Sequence, residues 1–490
     1  MTLREELIAP AAEALANPYL EGPYAPTAEE ITATELPVLA GELPADLDGV
    51  YVRNGPNPQF APLGRYHWFD GDGMLHAVHF DGGKATYRNR YVRTREFEAE
   101  RAAGTALWRG VIEPWEGNPV GDRRERNAAN TDVVFHHGNL LALWYRAGKP
   151  YAVDPITLET RGADEFGGTL PGEVSAHAKV DERTEEFVFF DYGINAPYLR
   201  YGVADPSGLV THYTGIELPG PRLPHDMAIT ENWSILMDLP LYNDPRAAAA
   251  GRFKLFFDRE LPSRFAVLPR RGDGAQVRWF EAKPGYIYHT VNAWEDGDEI
   301  VMVACRVARP SPVSDRTHPL AQLLAYLRPE ATLYRYRFNL RTGATIEEPL
   351  DDVNTEFPAI DQGATGRRGR WSYQMRLSVD RTMLFDAVIK YDVLTGAKQT
   401  QPFGDGIFGS ELTVVPRADG DGDGDGEDDA WLTMFAHNAH TGLGEVWVFD
   451  AADLAAGPVC RLGLPVRVPL GFHATWVSGE RMRAAARPVA

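Results

Sequence analysis

Tyr336-Arg337-Phe338-Asn339-Leu340-Arg341-Thr342-Gly343 and Lys390-Tyr391-Asp392-Val393-Leu394-Thr395-Gly396 share one pattern. An apolar or alternating strand runs into Asn or Asp, then into a turn containing glycine. Asx residues end strands well because their side chains bond their own backbone in the turn. The same signal recurs at Val78 to Gly83, Tyr151 to Pro155, Tyr201 to Gly208, Leu255 to Asp258 and Val446 to Asp450. The anchors are Asp81, Asp154, Asp205, Asp258, Asn339, Asp392 and Asp450, at successive spacings of 73, 51, 53, 81, 53 and 58 residues. A recurrent spacing in the fifties matches one four-stranded propeller blade, and the wider gaps leave room for long loops. Paired sandwiches would also give hairpins, but not at this interval. The expectation is an all-β, seven-bladed β-propeller.

Four single histidines fall in phase with that ruler. His177 lies 23 residues after Asp154, His225 lies 20 after Asp205, His289 lies 31 after Asp258, and His473 lies 23 after Asp450. Each opens a short apolar run near the start of the next repeat. The equivalent strand of every blade lines a propeller's axis, so the four imidazoles are expected to converge there. The repeats without such a histidine carry Glu356, 17 residues after Asn339, and Glu411, 19 after Asp392. A metal-bound imidazole usually gives its other N–H to a carboxylate or carbonyl, which is the place these acids would take. A lone histidine among apolar residues is ordinarily a core or surface residue, and nine of the 13 histidines lie elsewhere. The common phase carries the joint reading. Histidine ligation without thiolate suits iron, zinc or copper, and an octahedral ion would keep two positions open for O₂.

Composition agrees. The 490 residues include 47 Gly and 36 Pro, and aromatics make up 11%, as many short strands with tight turns require. A net charge of −20 argues against nucleic acid, which needs a basic surface. The two cysteines, Cys305 and Cys460, are far apart and strand-flanked, so both read as buried thiols. Met1 to Leu7 carries acids where a signal peptide would carry an apolar core, and no apolar run approaches the ~20 residues of a spanning helix. The expected compartment is the cytoplasm. Residues 1–45 read as an N-terminal arm, with an amphipathic helix from Glu5 to Ala16, and residues 46–490 as one propeller domain. The Asp/Gly run 419–429 reads as an acidic hairpin loop, since it lacks an EF-hand's spaced glutamate and flanking helices. His318 to Arg328 has helical spacing and could cap the site.

The chain resembles the carotenoid cleavage oxygenases over roughly residues 35 to 480. The most specific matches are Arg53-Asn54-Gly55-Pro56-Asn57-Pro58, Trp68-Phe69-Asp70-Gly71-Asp72-Gly73-Met74-Leu75-His76 and Tyr87-Arg88-Asn89-Arg90. The four histidine stretches, Glu356-Phe357-Pro358 and Gly471-Phe472-His473 match as well. The resemblance implies a seven-bladed propeller with a loop and short-helix cap over an axial Fe(2+). Its ligands would be His177, His225, His289 and His473, with Glu356 and Glu411 supporting them and Thr131 beside an open iron position. The implied activity is oxidative cleavage of a conjugated C=C bond by O₂ into two carbonyl products, with no separate protein acid or base. The implied partners are O₂ and an apolar polyene, with room for peripheral membrane contact through the cap.

Two substrate classes compete within that family, polyenes and phenolic stilbenes or phenylpropenes. Phenol-cleaving members use a lysine and a tyrosine, whose places here fall at Trp144 and near Val111. Trp144, with Phe60, Leu223 and Tyr288, matches tunnel-lining positions, so a carotenoid or apocarotenoid is expected. A non-enzymatic ligand-binding propeller is the alternative of another class. One departure stands out. The family's remaining supporting glutamate becomes Tyr145 or Arg146, because the chain is one residue longer there. A substitute acceptor is therefore expected beside His225.

Overall fold

The computed structural model describes residues 17–111, 113, 126–243, 246, 255–310, 329–378, 382–417 and 428–485. The expected helices at 5–16 and 318–328 lie outside these, as does most of the acidic run at 419–429.

The Asx turns form as the side-chain chemistry requires. Asp154 Oδ1 accepts from the N–H groups of Ile156 and Thr157, both at 2.8 Å. Asn339 Oδ1 takes those of Arg341 and Thr342, at 3.1 and 2.9 Å. Asp392 Oδ1 takes Leu394 and Thr395, at 3.0 and 3.1 Å. Gly343 and Gly396 close their turns at φ 77 and 78, a region other residues enter at a cost. Six of the seven anchors join the third strand of a sheet to its fourth. Asp258 does not. It ends a two-stranded ribbon, Leu241–Asn243 with Leu255–Phe257, inserted between the second and third strands of the fourth sheet. That sheet turns instead after Ser263–Pro269, at Arg270 to Asp273.

Seven antiparallel sheets surround one axis. Their first strands are Asp132–His136, Lys179–Asp181, Ala228–Ile229, Tyr286–Asp296, Thr355–Ala359, the pair Ile407–Gly409 and Thr413–Pro416, and Ala474–Ser478. Most of these strands neighbour the next one around the ring, so they line the axis. The last closes the circle. Ala474–Ser478 pairs with Gly49–Pro56, from Arg53↔Ala474 to Gly49↔Ser478, so one blade is built from both ends of the chain.

The N-terminal segment is also woven in. Thr32–Ala33 adds an outer strand to that blade, and Val38–Gly41 adds one to the blade before it. An outer strand leaves unpaired N–H and C=O groups that an extended segment satisfies. Tyr19 and Tyr24 bury against Trp68, with ring centroids 5.4 and 5.2 Å away. The residues before position 45 thus pair and pack with the propeller.

Apolar faces of adjacent blades interlock. Phe265 of one blade meets Phe338 of the next, ring centroids 5.0 Å apart. Burying such a side chain contributes ~1.5–3 kcal/mol. No helix among the described residues is long and apolar enough to cross a membrane.

Candidate metal centre

Every blade presents one residue at or near the start of its axial strand: Thr131, His177, His225, His289, Glu356, Glu411 and His473. The backbone there is irregular, and that irregularity aims the side chains. The strand Tyr286–Asp296 slips register between Ile287 and Thr290, and Thr355–Ala359 slips between Glu356 and Ala359. Such bulges re-aim single side chains. His177 has φ 66 and Phe357 has φ 53. Non-glycine residues there cost ~1–3 kcal/mol and persist only where the surroundings enforce them. The surroundings here include Asp132, whose Oδ2 accepts the His177 N–H at 3.0 Å. Asp226 Oδ2 likewise accepts the Thr290 N–H at 2.6 Å.

The four imidazoles meet. Ring centroids of His177 lie 4.7 Å from His225, 5.0 Å from His289 and 4.6 Å from His473. His289 lies 5.3 Å from His225 and 4.6 Å from His473. Potential ligand nitrogens of His177, His225 and His289 all fall within 4.8 Å of one another. Nε2 of His177 and Nε2 of His289 are buried without a protein partner. Buried polar nitrogens are rarely left so, and two of them facing one point fit a shared cation.

The electrostatics fit as well. Burial pushes His177, His225 and His289 well below their usual range, so each is the neutral, lone-pair-bearing form that binds metal. Burial acts on His473 in the same direction, but Glu411 outweighs it and raises that ring. His289 Nδ1 donates to Glu356 Oε2. His473 Nδ1 donates to Glu411 Oε1 at 3.0 Å. Burial pushes Glu356 up to about 8 and raises Glu411 too. A dication at the ring would favour the ionised form of both.

The acceptor expected beside His225 is absent among the described residues. Among the described residues no hydrogen bond reaches either nitrogen of its ring. Its neighbours are the rings of Tyr288 and Tyr145, with centroids 5.2 and 6.3 Å away. The adjacent carboxylate, Asp226, is taken by Lys179 and Thr290.

The ring divides two cavities. One is mainly apolar, about 110 Å³, and touches His225, His289 and His473 among walls that include Trp68, Phe69, Leu223, Tyr288, Phe357 and Phe472. Thr131 reaches it too, its Oγ1 accepting the Tyr145 N–H at 3.1 Å. Leu223 and Tyr288 line this cavity. Phe60 and Trp144 do not. Phe60 lines a separate outer pocket with Pro62, Tyr66 and Trp108. Trp144 packs with Val111 and Ala128, and its neighbour Tyr145 lines the cavity. Tyr145, Tyr192 and Phe472 were missed as wall residues. Phe472 was legible as the neighbour of His473; Tyr192 had no local signal.

Residues 24–478 match the family model of retinal pigment epithelial membrane protein. A carotenoid 9,10(9',10')-cleavage dioxygenase of Crocus sativus is 37% identical over 499 residues, covering 95% of this chain and 90% of that protein. The structure of lignostilbene dioxygenase from Pseudomonas brassicacearum superposes with a TM-score of 0.85 at 28% identity, over 94% of this chain and 99% of that one. Cobalt-substituted apocarotenoid oxygenase of Synechocystis superposes with a TM-score of 0.81 at 26% identity, over 92% and 97% of the two chains. These matches take in the axial strands and the residues they present, and the chain belongs to the carotenoid cleavage oxygenase family.

Proposed function

We propose that this protein is a non-heme Fe(II) dioxygenase that splits a conjugated C=C bond of a carotenoid or apocarotenoid with O₂. Each alkene carbon would leave as a carbonyl. The observation that carries the reading is the ring of four buried histidines opening onto an aromatic cavity. His177, His225, His289 and His473 would hold the metal, with Glu356 and Glu411 fixing two of the rings. When bound, ferrous iron supplies the electron chemistry through which O₂ reacts with a closed-shell alkene. The chain's own task is positioning. Phe357 and Phe472 exclude water beside the ring, Leu223 and Tyr288 give a long apolar substrate a wall, and Thr131 borders the space next to the histidines. No general acid or base is needed to move a proton in this reaction.

The substrate class follows from the cavity, whose surface is dominated by aromatic and aliphatic side chains, with no lysine among the described lining residues. A second reading, cleavage of a phenolic stilbene or phenylpropene, is favoured by the likeness to a lignostilbene dioxygenase and by the hydroxyl groups of Tyr145 and Tyr288 at the wall. Trp68, Phe69 and the ribbon residues Leu241 and Leu255 reach the cavity from outside the blades and support a cap over the site. Two free, buried thiols, Cys305 and Cys460, support a reducing compartment such as the cytoplasm.

The test is an anaerobic reconstitution with Fe(II), followed by ¹⁸O₂ and a panel of apocarotenals, carotenes and phenolic styrenes, with products identified by mass. Shortened, ¹⁸O-labelled apocarotenoid carbonyls are expected. Vanillin-type products alone would move the assignment to the phenolic class. A metal-loaded protein that cleaves nothing, and whose His177→Ala and His473→Ala variants bind ligands like the parent, would make it a binding propeller.

A further inference from the structure

The second cavity on the ring has no part in holding an apolar substrate. It lies across the histidines from the first, has a volume of about 180 Å³, and touches His177, His289 and His473. Its walls are mixed, with Asp132, Lys179, Asp226, Asn292 and Gln362 set among small and branched aliphatic side chains. A further pocket of about 140 Å³ shares Lys179, Gln362, Thr365 and Thr475 with it, so the two are adjacent. That outer pocket is bordered by the ion pair Glu182–Arg481, whose side chains are 28% and 27% exposed. Together the two pockets place oxygen-bearing side chains from the histidines out to the Glu182–Arg481 pair.

We propose that these two pockets join into an axial channel, the route by which the divalent cation reaches the histidine ring. The proposal rests on reading the four histidines as metal ligands. A hydrated dication approaching through the aromatic cavity would lose its water to walls that offer little in return, at a steep desolvation cost. The axial side offers oxygen donors in sequence: the Glu182 carboxylate at the mouth, the Gln362 amide and Thr475 hydroxyl midway, and Asp132 and Asp226 at the ring. Hard divalent cations exchange water for such oxygens readily. Lys179 stands in the path, its ammonium 2.6 Å from Asp226 Oδ1. Its side chain is 22% exposed while that of Asp226 is 1% exposed, so the lysine can swing aside and the carboxylate cannot. The pairing leaves Asp132 to draw the cation inward.

The test uses the metal-stripped full chain and Co²⁺, followed by the visible absorption of the nitrogen-ligated ion. Gln362→Trp and Thr365→Trp each narrow the axial channel from the same loop, and Leu255→Trp narrows the aromatic cavity instead. Both axial variants are expected to take up Co²⁺ more slowly, on the order of tenfold or more, as altered access to one site typically does. They should reach the parent's final spectrum, which a misfolded ring would not. Leu255→Trp should load at the parent rate. Slow loading in Leu255→Trp with unaltered rates in the axial pair would overturn the route, as would unaltered rates in all three. If the parent itself shows no nitrogen-ligated cobalt spectrum, the metal-centre reading fails and the route with it. Normal end-point spectra with unaltered rates remove the route alone.

Discussion

His473 donates from Nδ1 to Glu411 Oε1 at 3.0 Å, and the other oxygen of that carboxylate accepts the N–H of Ala474. Ala474 opens the strand that closes the ring of blades. One side chain therefore orients a candidate ligand and anchors the closure. Glu411→Ala should lower metal affinity by ~10–100-fold, the usual result of removing such a partner. It should also cost ~1–3 kcal/mol of stability through the orphaned Ala474 N–H. Glu356→Ala should match it in affinity. Metal competition titrations and thermal melts measure the two effects, and unchanged affinity in both variants would remove the carboxylates from the site.

The rings are not held alike. His289 and His473 each bond a glutamate, whereas His225 is flanked by the rings of Tyr145 and Tyr288 and bonds no carboxylate among the described residues. An unanchored imidazole pays more to be ordered as a ligand, so it contributes less to binding. His225→Ala should therefore weaken Co²⁺ binding less than His473→Ala, by roughly tenfold on the same scale. Equal losses would show that Tyr145 and Tyr288 immobilise His225 as well as a carboxylate would.

Asp181 sits at the end of an axial strand, wholly buried, with Arg270 and Arg367 each 2.8 Å away. Burial alone would raise its pKa, but the hydrogen bonds from Arg367 and Arg270 outweigh burial and hold it below the usual carboxylate value of 3.8. A depressed folded pKa adds stability that is complete above the unfolded value and disappears as pH falls through the folded one. Asp181→Asn should therefore lower stability by about 3 kcal/mol near pH 7, the cost of breaking a buried pair. The gap should begin to close below about pH 4. Melting temperatures of parent and variant across pH 3 to 7 check this, and a constant gap would contradict it.

Leu223 precedes the His225 turn and lines the aromatic cavity. Leu223→Asp places a charge on that wall. For a polyene, KM should rise by about tenfold or more while metal binding holds, because the apolar chain cannot solvate the carboxylate. Steady-state kinetics on an apocarotenal, with Co²⁺ titration as control, measures it. An unchanged KM would move the substrate's path away from Leu223.

The propeller was legible because its signal is local. An Asx side chain bonds N–H groups two or three residues on, so Asp154, Asn339 and Asp392 each state their turn within a few residues. The phase of His177, His225 and His473 was legible for the same reason, since each stands at the axial strand of the blade after such a turn; His289 does not follow a blade turn of that kind. Asp258 misled because a ribbon hairpin and a blade hairpin use identical local chemistry, and only pairing separates them. The weaving of Thr32–Ala33 and Val38–Gly41 into two blades was invisible, because an outer strand is chosen by which edge it meets.

By itself, then, the sequence determined an all-β repeat of about fifty residues and a set of in-phase histidines and acids. Tertiary structure alone decided which blade is closed by both chain ends. It placed Tyr145 rather than Trp144 at the cavity wall and, among the described residues, left His225 without a carboxylate. It also set an aromatic cavity against the ring and a second cavity of mixed lining beside it. The reason is physical. Turn chemistry acts between neighbours along the chain, whereas the walls of a cavity depend on strand faces and loops drawn from blades far apart in sequence.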